Sequence, residues 1–287
     1  MIVWVASFPK SGNTWLRMLL ASWMRDADVD INALSGWTDM APEPWRVVTG
    51  RPAETLSKDD VTTNRKWVQS VLANRRLREA MRPHFALAQA EDVFCKTHAA
   101  RAEVDGHPTI NHDVTVGAVY IVRDPRDVAV SYASHLGVSV DEAISLMESA
   151  HPLKNDGSPL YQYVGRWSDH VESWLAAPFK THLVRYEDLK SRPIVTFRKL
   201  LQAFDLKSTQ GRVERAVERS KFENLKAQEA KSGFGERSEK SNEPFFRAGQ
   251  VGGWKNRLTP EQIARIESAH GVVMERMGYA RSVALAA

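Results

Sequence analysis

Ile2-Val3-Trp4-Val5-Ala6-Ser7-Phe8-Pro9-Lys10-Ser11-Gly12-Asn13-Thr14-Trp15 opens the chain, and Leu16, Leu19, Leu20 and Trp23 come next at helical spacing. Residues 2–7 are apolar and rich in β-branched and aromatic side chains, which predicts a short buried strand. Pro9 and Gly12 break that strand, and the spaced leucines and tryptophans after them predict a helix. The unit is strand, turn, helix. At such a corner the free N–H groups of the first helical turn and the positive end of the helix dipole point the same way, which makes it an anion-binding position. Gly12 permits close approach of a phosphate, Lys10 adds a positive charge, and the Ser11 and Thr14 hydroxyls add donors. A plain turn with an exposed lysine is the competing reading of the same residues.

The strand–helix unit recurs. Residues 117–122 read as a buried strand, Arg123-Asp124-Pro125 as its turn and residues 126–135 as a helix with Pro125 in its first turn. Residues 93–96 and 182–185 read as two further strands, and residues 194–204 and 260–277 as amphipathic helices. Together these predict a three-layer α/β domain, a central parallel sheet flanked by helices, spanning 1–287. Residues 35–59 and 226–244 do not fit the rhythm and read as long surface loops. Acceptor-side loops are accordingly expected near 35–66, 135–165 and 226–246.

Composition narrows the function classes. The 287 residues carry 39 Lys and Arg against 35 Asp and Glu, a net charge of +4 that suits an anionic small ligand better than a nucleic-acid duplex. A single cysteine, Cys95, precludes an internal disulfide framework, and His107 and His112 lack companions at metal-site spacing, so no metal is expected. The apolar start runs into Pro9 and Lys10 without a basic leader, and no apolar run reaches membrane-spanning length. A cytoplasmic protein is expected, with neither nucleic acid nor an integral membrane as partner.

Five other segments carry candidate chemistry. Arg123 stands at a strand's carboxyl end, where open α/β sheets bind ligands, and Ser131 lies about two turns into the next helix. An arginine fork suits phosphate oxygens, although pairing with Asp124 or Asp127 would also explain it. Lys96-Thr97-His98 ends another strand with a histidine whose ordinary pKa suits it to take a proton at neutral pH. Arg185-Tyr186-Glu187-Asp188 and Ser220-Lys221-Phe222 offer aromatic faces that can stack on a base or fill the core. Phe246-Arg247-Ala248-Gly249-Gln250-Val251-Gly252-Gly253-Trp254-Lys255 adds a cation among turn-forming glycines.

Lys10-Ser11-Gly12-Asn13-Thr14-Trp15 after a strand resembles the 5'-phosphosulfate loop of sulfotransferases that use 3'-phosphoadenosine 5'-phosphosulfate (PAPS). The other segments resemble, in order, that family's Lys-Thr-His, 3'-phosphate, Tyr-Glu-Asp, adenine-wall and C-terminal Arg-Lys-Gly elements. The resemblance implies a P-loop NTPase-like fold and a donor, PAPS, that leaves adenosine 3',5'-bisphosphate (PAP). It assigns Lys10, Ser11, Gly12, Asn13 and Thr14 to the 5' side, the Trp15 ring to the adenine, and Arg123, Ser131, Arg247, Ala248 and Gly249 to the 3'-phosphate. Tyr186, Ser220 and Phe222 fall to the adenine, and Ser131 also to restraint of the lysine before an acceptor arrives. His98 becomes the general base, with Lys10 and Lys96 assisting. Trp15 is equally explained as a core residue beside Leu16 and Leu19.

Three elements depart from the family pattern. Ala248 stands where a lysine is usual, and Ala99 and Ala100 come after His98 where a proline is frequent. The family's dimerisation motif is incomplete, since Pro260 and Ala264 replace its valine and glutamate after Lys255 and Thr259, so the oligomeric state stays open. The expected acceptor is a hydroxyl or amine of a small molecule, lipid or glycan. Two rivals remain: a nucleotide-bisphosphate-binding protein without catalysis, and a P-loop kinase. The kinase is disfavoured because Lys10 precedes Gly12 and the leading glycine of G-x-x-x-x-G-K-[ST] is missing.

Overall fold

The computed structural model describes residues 1–34, 38–80, 92–154, 159–241 and 243–282. Its strands are β1 (Ile2–Ser7), β2 (Val93–Thr97), β3 (Glu103–Val104), β4 (His107–Pro108), β5 (Thr115–Val122), β6 (Pro152–Lys154), β7 (Tyr161–Tyr163) and β8 (Lys180–Arg185). The helices are α1 (Asn13–Arg25), α2 (Pro42–Thr49), α3 (Lys58–Ala73), α4 (Arg75–Ala80), α5 (Pro125–Leu136), α6 (Val140–Met147) and α7 (Trp167–Leu175). Beyond them lie α8 (Tyr186–Ser191), α9 (Pro193–Ala203), α10 (Gln210–Arg219), α11 (Phe222–Ser232) and α12 (Pro260–Arg276).

β1 lies inside a parallel sheet ordered β2-β1-β5-β8. All six of its residues are buried, because helices cover both faces and alternate side chains feed two separate cores. Ile2, Trp4 and Ala6 join Cys95, Ala118, Tyr120, Trp167 and Met274 on one face. Val3 and Val5 join Phe94, Val119, Ile121, Leu16, Leu19 and Phe197 on the other. Each fully buried side chain of this size contributes roughly 1.5–3 kcal/mol. The predicted three-layer arrangement is present, and all four strands end on one edge.

Residues 35–59 are not one long loop. Pro42 opens α2 in its first turn and Gly50 closes it at a φ of 68°. Ser57 and Asp60 then form a reciprocal capping box that starts α3. Of the aromatic residues there, Trp45 is fully buried, Trp67 is 62% exposed on α3, and Trp37 lies outside the described residues with its neighbours 35 and 36. Residues 226–244 likewise begin as the second half of α11, and the chain is irregular only beyond Ser232. Residues 135–165 contain α6 and the β6–β7 hairpin, with 155–158 outside the described residues.

Candidate active site

The carboxyl edge of the sheet opens into a cavity of about 1480 Å³. Each central strand delivers one candidate residue to it: Lys10 comes after β1, His98 after β2, Arg123 after β5 and Tyr186 after β8. Every residue singled out in the sequence lines this cavity except Ser11 and Ser220, which are fully buried behind its wall.

The β1–α1 turn is shaped by two residues with positive φ, Lys10 at 65° and Gly12 at 101°. Gly12 is required there, because an added Cβ would sit 2.6 Å from Cδ2 of Tyr186. Asn13 braces the turn from below: its Nδ2 donates to the Val5 carbonyl and to Ser7 Oγ, and its Oδ1 accepts from Arg17 Nε. Trp15 is half-buried, lining the cavity on one side and packing against the core of Leu16 and Leu19 on the other. Its Nε1 donates to the Ser220 carbonyl at 2.8 Å and its ring meets Tyr186 edge-on at 5.8 Å. Burial, then the nearby Arg123 charge, lowers the Lys10 ammonium to about 7. Its Nζ lies 3.6 Å above the Phe245 ring.

Arg123 does not pair with Asp124 or Asp127. It donates to the carbonyls of Lys10 (3.1 Å) and Gln250 (2.9 Å), and its guanidinium lies 4.5 Å over the Tyr186 ring. Asp124 instead caps α5 and holds Arg126. Asp127 accepts the N–H groups of Gly252 (2.8 Å) and Trp254 (2.9 Å), binding the C-terminal glycine loop to α5. In that loop Arg247 pairs with Glu243 at 2.9 Å, and Gly249 presses on Phe222. Ser131 and Ala248 line the same wall.

His98 is fixed through its backbone and its ring. Nδ1 donates to the Ser7 carbonyl at 2.8 Å, which leaves Nε2 as the nitrogen with a free lone pair. Its N–H donates to Gln162 Oε1, and its carbonyl accepts from His170 Nε2. Tyr120 in turn donates to His170 Nδ1 at 2.8 Å. Burial and the neighbouring Lys96 charge hold His98 well below the usual histidine range, so its ring is neutral at pH 7.

Two charged residues at the site escaped the sequence reading. Glu236, inside the stretch read as a surface loop, pairs with fully buried Arg17 at 2.7 Å and with Lys96 at 3.1 Å. No local pattern marks either, since Arg17 sits among leucines and Glu236 in a charged tract; only the fold joins them. Among the described residues, no group of three or more His, Cys, Asp or Glu side chains is disposed to hold a metal ion.

Comparison with known proteins bears on the family and the fold. The sulfotransferase domain model matches residues 2–278. Cytosolic sulfotransferase 16 of Arabidopsis thaliana is 32% identical over 173 residues, 55% of this chain and 49% of that protein, so the match spans about half the relative's length. Flavonol 3-sulfotransferase of Flaveria bidentis is 26% identical over 96% of this chain and 81% of its own. Among solved structures, retinol dehydratase in a complex with retinol and PAP superposes with a TM-score of 0.59 at 22% identity, covering 96% of this chain and 81% of that one. A mouse sulfotransferase complexed with PAP gives 0.57 at 19%, covering 97% and 85%. With its motifs gathered in one cavity and the family domain matched across residues 2–278, this chain belongs to the sulfotransferase family.

Proposed function

We propose that this chain transfers a sulfuryl group from PAPS to a hydroxyl or amine of a small-molecule, lipid or glycan acceptor, acting in the cytoplasm as a single domain. The observation that carries the reading is the convergence of a neutral histidine and an anion cradle in one cavity, each delivered by a neighbouring strand end. Arg123, which lines the cavity, keeps a buried Nε with no protein partner, a donor that fits an anionic nucleotide. Two solved relatives of the same fold were crystallised with PAP, which supports the same class of ligand here.

Lys10, Thr14 and the first-turn N–H groups of α1 would hold the 5' side, Arg123, Ser131 and Arg247 the 3'-phosphate, and Trp15, Tyr186 and Phe222 the base. PAPS supplies an activated sulfuryl group with a phosphate leaving group. His98 Nε2 accepts the acceptor's proton, which its neutral state and fixed tautomer permit. Lys10 offers its ammonium to the oxygen on which charge grows, and burial strengthens that interaction. Lys96 adds a second cation to the cavity wall. A sulfuryl group carries less charge than a phosphoryl group, so lysines and backbone donors suffice in these roles. The presence of a poised base favours catalysis over nucleotide binding alone.

Calorimetric titration with PAP tests the reading, with AMP and ATP as controls. PAP should bind and AMP and ATP should not compete with it, and Arg123→Ala should weaken PAP by about 10–100-fold, the value of hydrogen bonds to a charged group. Preference for ATP, or no binding of PAP, would overturn it.

A further inference from the structure

Glu236 is an acidic side chain set among the cations of the cavity. Both its oxygens accept from Arg17 NH2, at 2.8 and 2.7 Å, and Oε2 also accepts from Thr14 Oγ1 at 3.3 Å and pairs with Lys96 Nζ at 3.1 Å. Its backbone is held on both sides: Gly235 donates to Asn32 Oδ1 and Arg237 donates to the Phe234 carbonyl. Phe234, buried against Phe245 and Phe246, fixes the start of this segment. A carboxylate presented so rigidly, from the C-terminal part of the chain to the ends of β2 and α1, is built for that position.

We propose that Glu236 is a positioning residue that fixes the Lys96 ammonium in the cavity and preserves its charge for sulfuryl transfer. The inference rests on the proposed reading of the cavity. Six charged or titratable groups face Lys96: Arg17 from α1, Lys10 from the turn, Asp39, His98, His135 from α5, and Glu236. Burial and Arg17 push Lys96 toward the neutral amine, and Glu236 is foremost in opposing them. Asp39 also opposes them but is a weaker counter-charge, since its own burial raises its carboxyl. Burial also disfavours the Glu236 carboxylate, yet Arg17 and Lys96 outweigh it and hold the acid well below the usual range. The Lys96 ammonium so maintained adds to the burial that already holds His98 neutral, and to the positive field about Lys10.

A bland alternative makes Glu236 only the counter-ion of buried Arg17. The two are separated by titrating the Lys96 ε-methylene by NMR in the full chain, with and without PAP, the signal being assigned by its loss in Lys96→Met. Glu236→Gln should lower the Lys96 midpoint by about one to three pH units, the effect of one opposite charge at contact distance. Glu236→Asp should restore most of it. An unchanged midpoint in a folded Glu236→Gln variant overturns the proposal, because a structural counter-ion would alter stability without moving Lys96. Should Glu236→Gln not fold, the Arg17→Met/Glu236→Gln pair compared with Arg17→Met alone reads the same difference. Failure of the wild type to bind PAP would instead overturn the nucleotide reading, and the titration without PAP still decides the role of Glu236.

Discussion

Replacing Gly12 by alanine should damage stability and nucleotide affinity together, by amounts set by two features of the turn. The new methyl would stand 2.6 Å from Cδ2 and 3.1 Å from Cε2 of Tyr186, where a real carbon cannot remain. It would also occupy a φ of 101°, beyond the small left-handed region open to L-residues. Left-handed backbone costs about 1–2 kcal/mol and overpacking about 1–3, together about 2–5 kcal/mol. For a chain of this size that lowers the melting temperature by about 3–8 °C. If the ring yields, Arg123 loses the surface over which its guanidinium lies at 4.5 Å and Trp15 loses its edge contact. PAP affinity should then fall about tenfold. Scanning calorimetry and titration calorimetry on the same sample read both effects. A variant that melts within about 2 °C of the wild type and binds PAP equally well would refute the account of why glycine stands there.

Asp127→Asn should cost about 1.5–3 kcal/mol in urea unfolding and weaken PAP, because one amide oxygen cannot replace the carboxylate that accepts from both Gly252 and Trp254. His98→Ala should reduce turnover about 10²–10⁴-fold while PAP titration stays at the wild-type affinity; intact turnover would remove His98 as base. Stability should fall on acidification, since the unfolded chain protonates His170 near 6.5 and the folded chain only near about 3. Between those values the unfolded state binds the extra proton, so each such histidine removes about 1.4 kcal/mol per pH unit as the pH drops below 6.5. Urea midpoints at pH 7.5 and 5.0 check this, and His170→Gln should flatten the slope.

Continuous apolar runs made β1 and β5 legible, because a strand buried on both faces leaves no polar residue to blur its limits. The ligand-facing turns were legible for a related reason: Pro9, Gly12 and Pro125 punctuate strand ends, and the chemistry lies directly after them. The helices within residues 35–59 escaped notice although their signals were present. Pro42 stood at a first turn, and Ser57 with Asp60 formed a capping box whose acid is shorter than the usual glutamate. Trp15 was undecidable locally, since only the position of Ser220 turns it toward the cavity. Arg17 with Glu236, and Asp39 with Gln162 and Gln69, join residues far apart in the chain, so no window of sequence contains them.

The bond from His98 Nδ1 to the Ser7 carbonyl has a consequence for how the enzyme meets changing acidity. Many catalytic histidines lean on a carboxylate, whose own protonation would release the ring. A peptide oxygen has no proton to gain in that range, so the orientation of this imidazole is indifferent to pH. It is also borrowed from the strand that leads into the Lys10 turn, three residues upstream. In the proposed reaction, a shift of that turn on engaging an anion would therefore be carried to His98 through the backbone itself, giving the anion cradle and the imidazole a common mechanical ground.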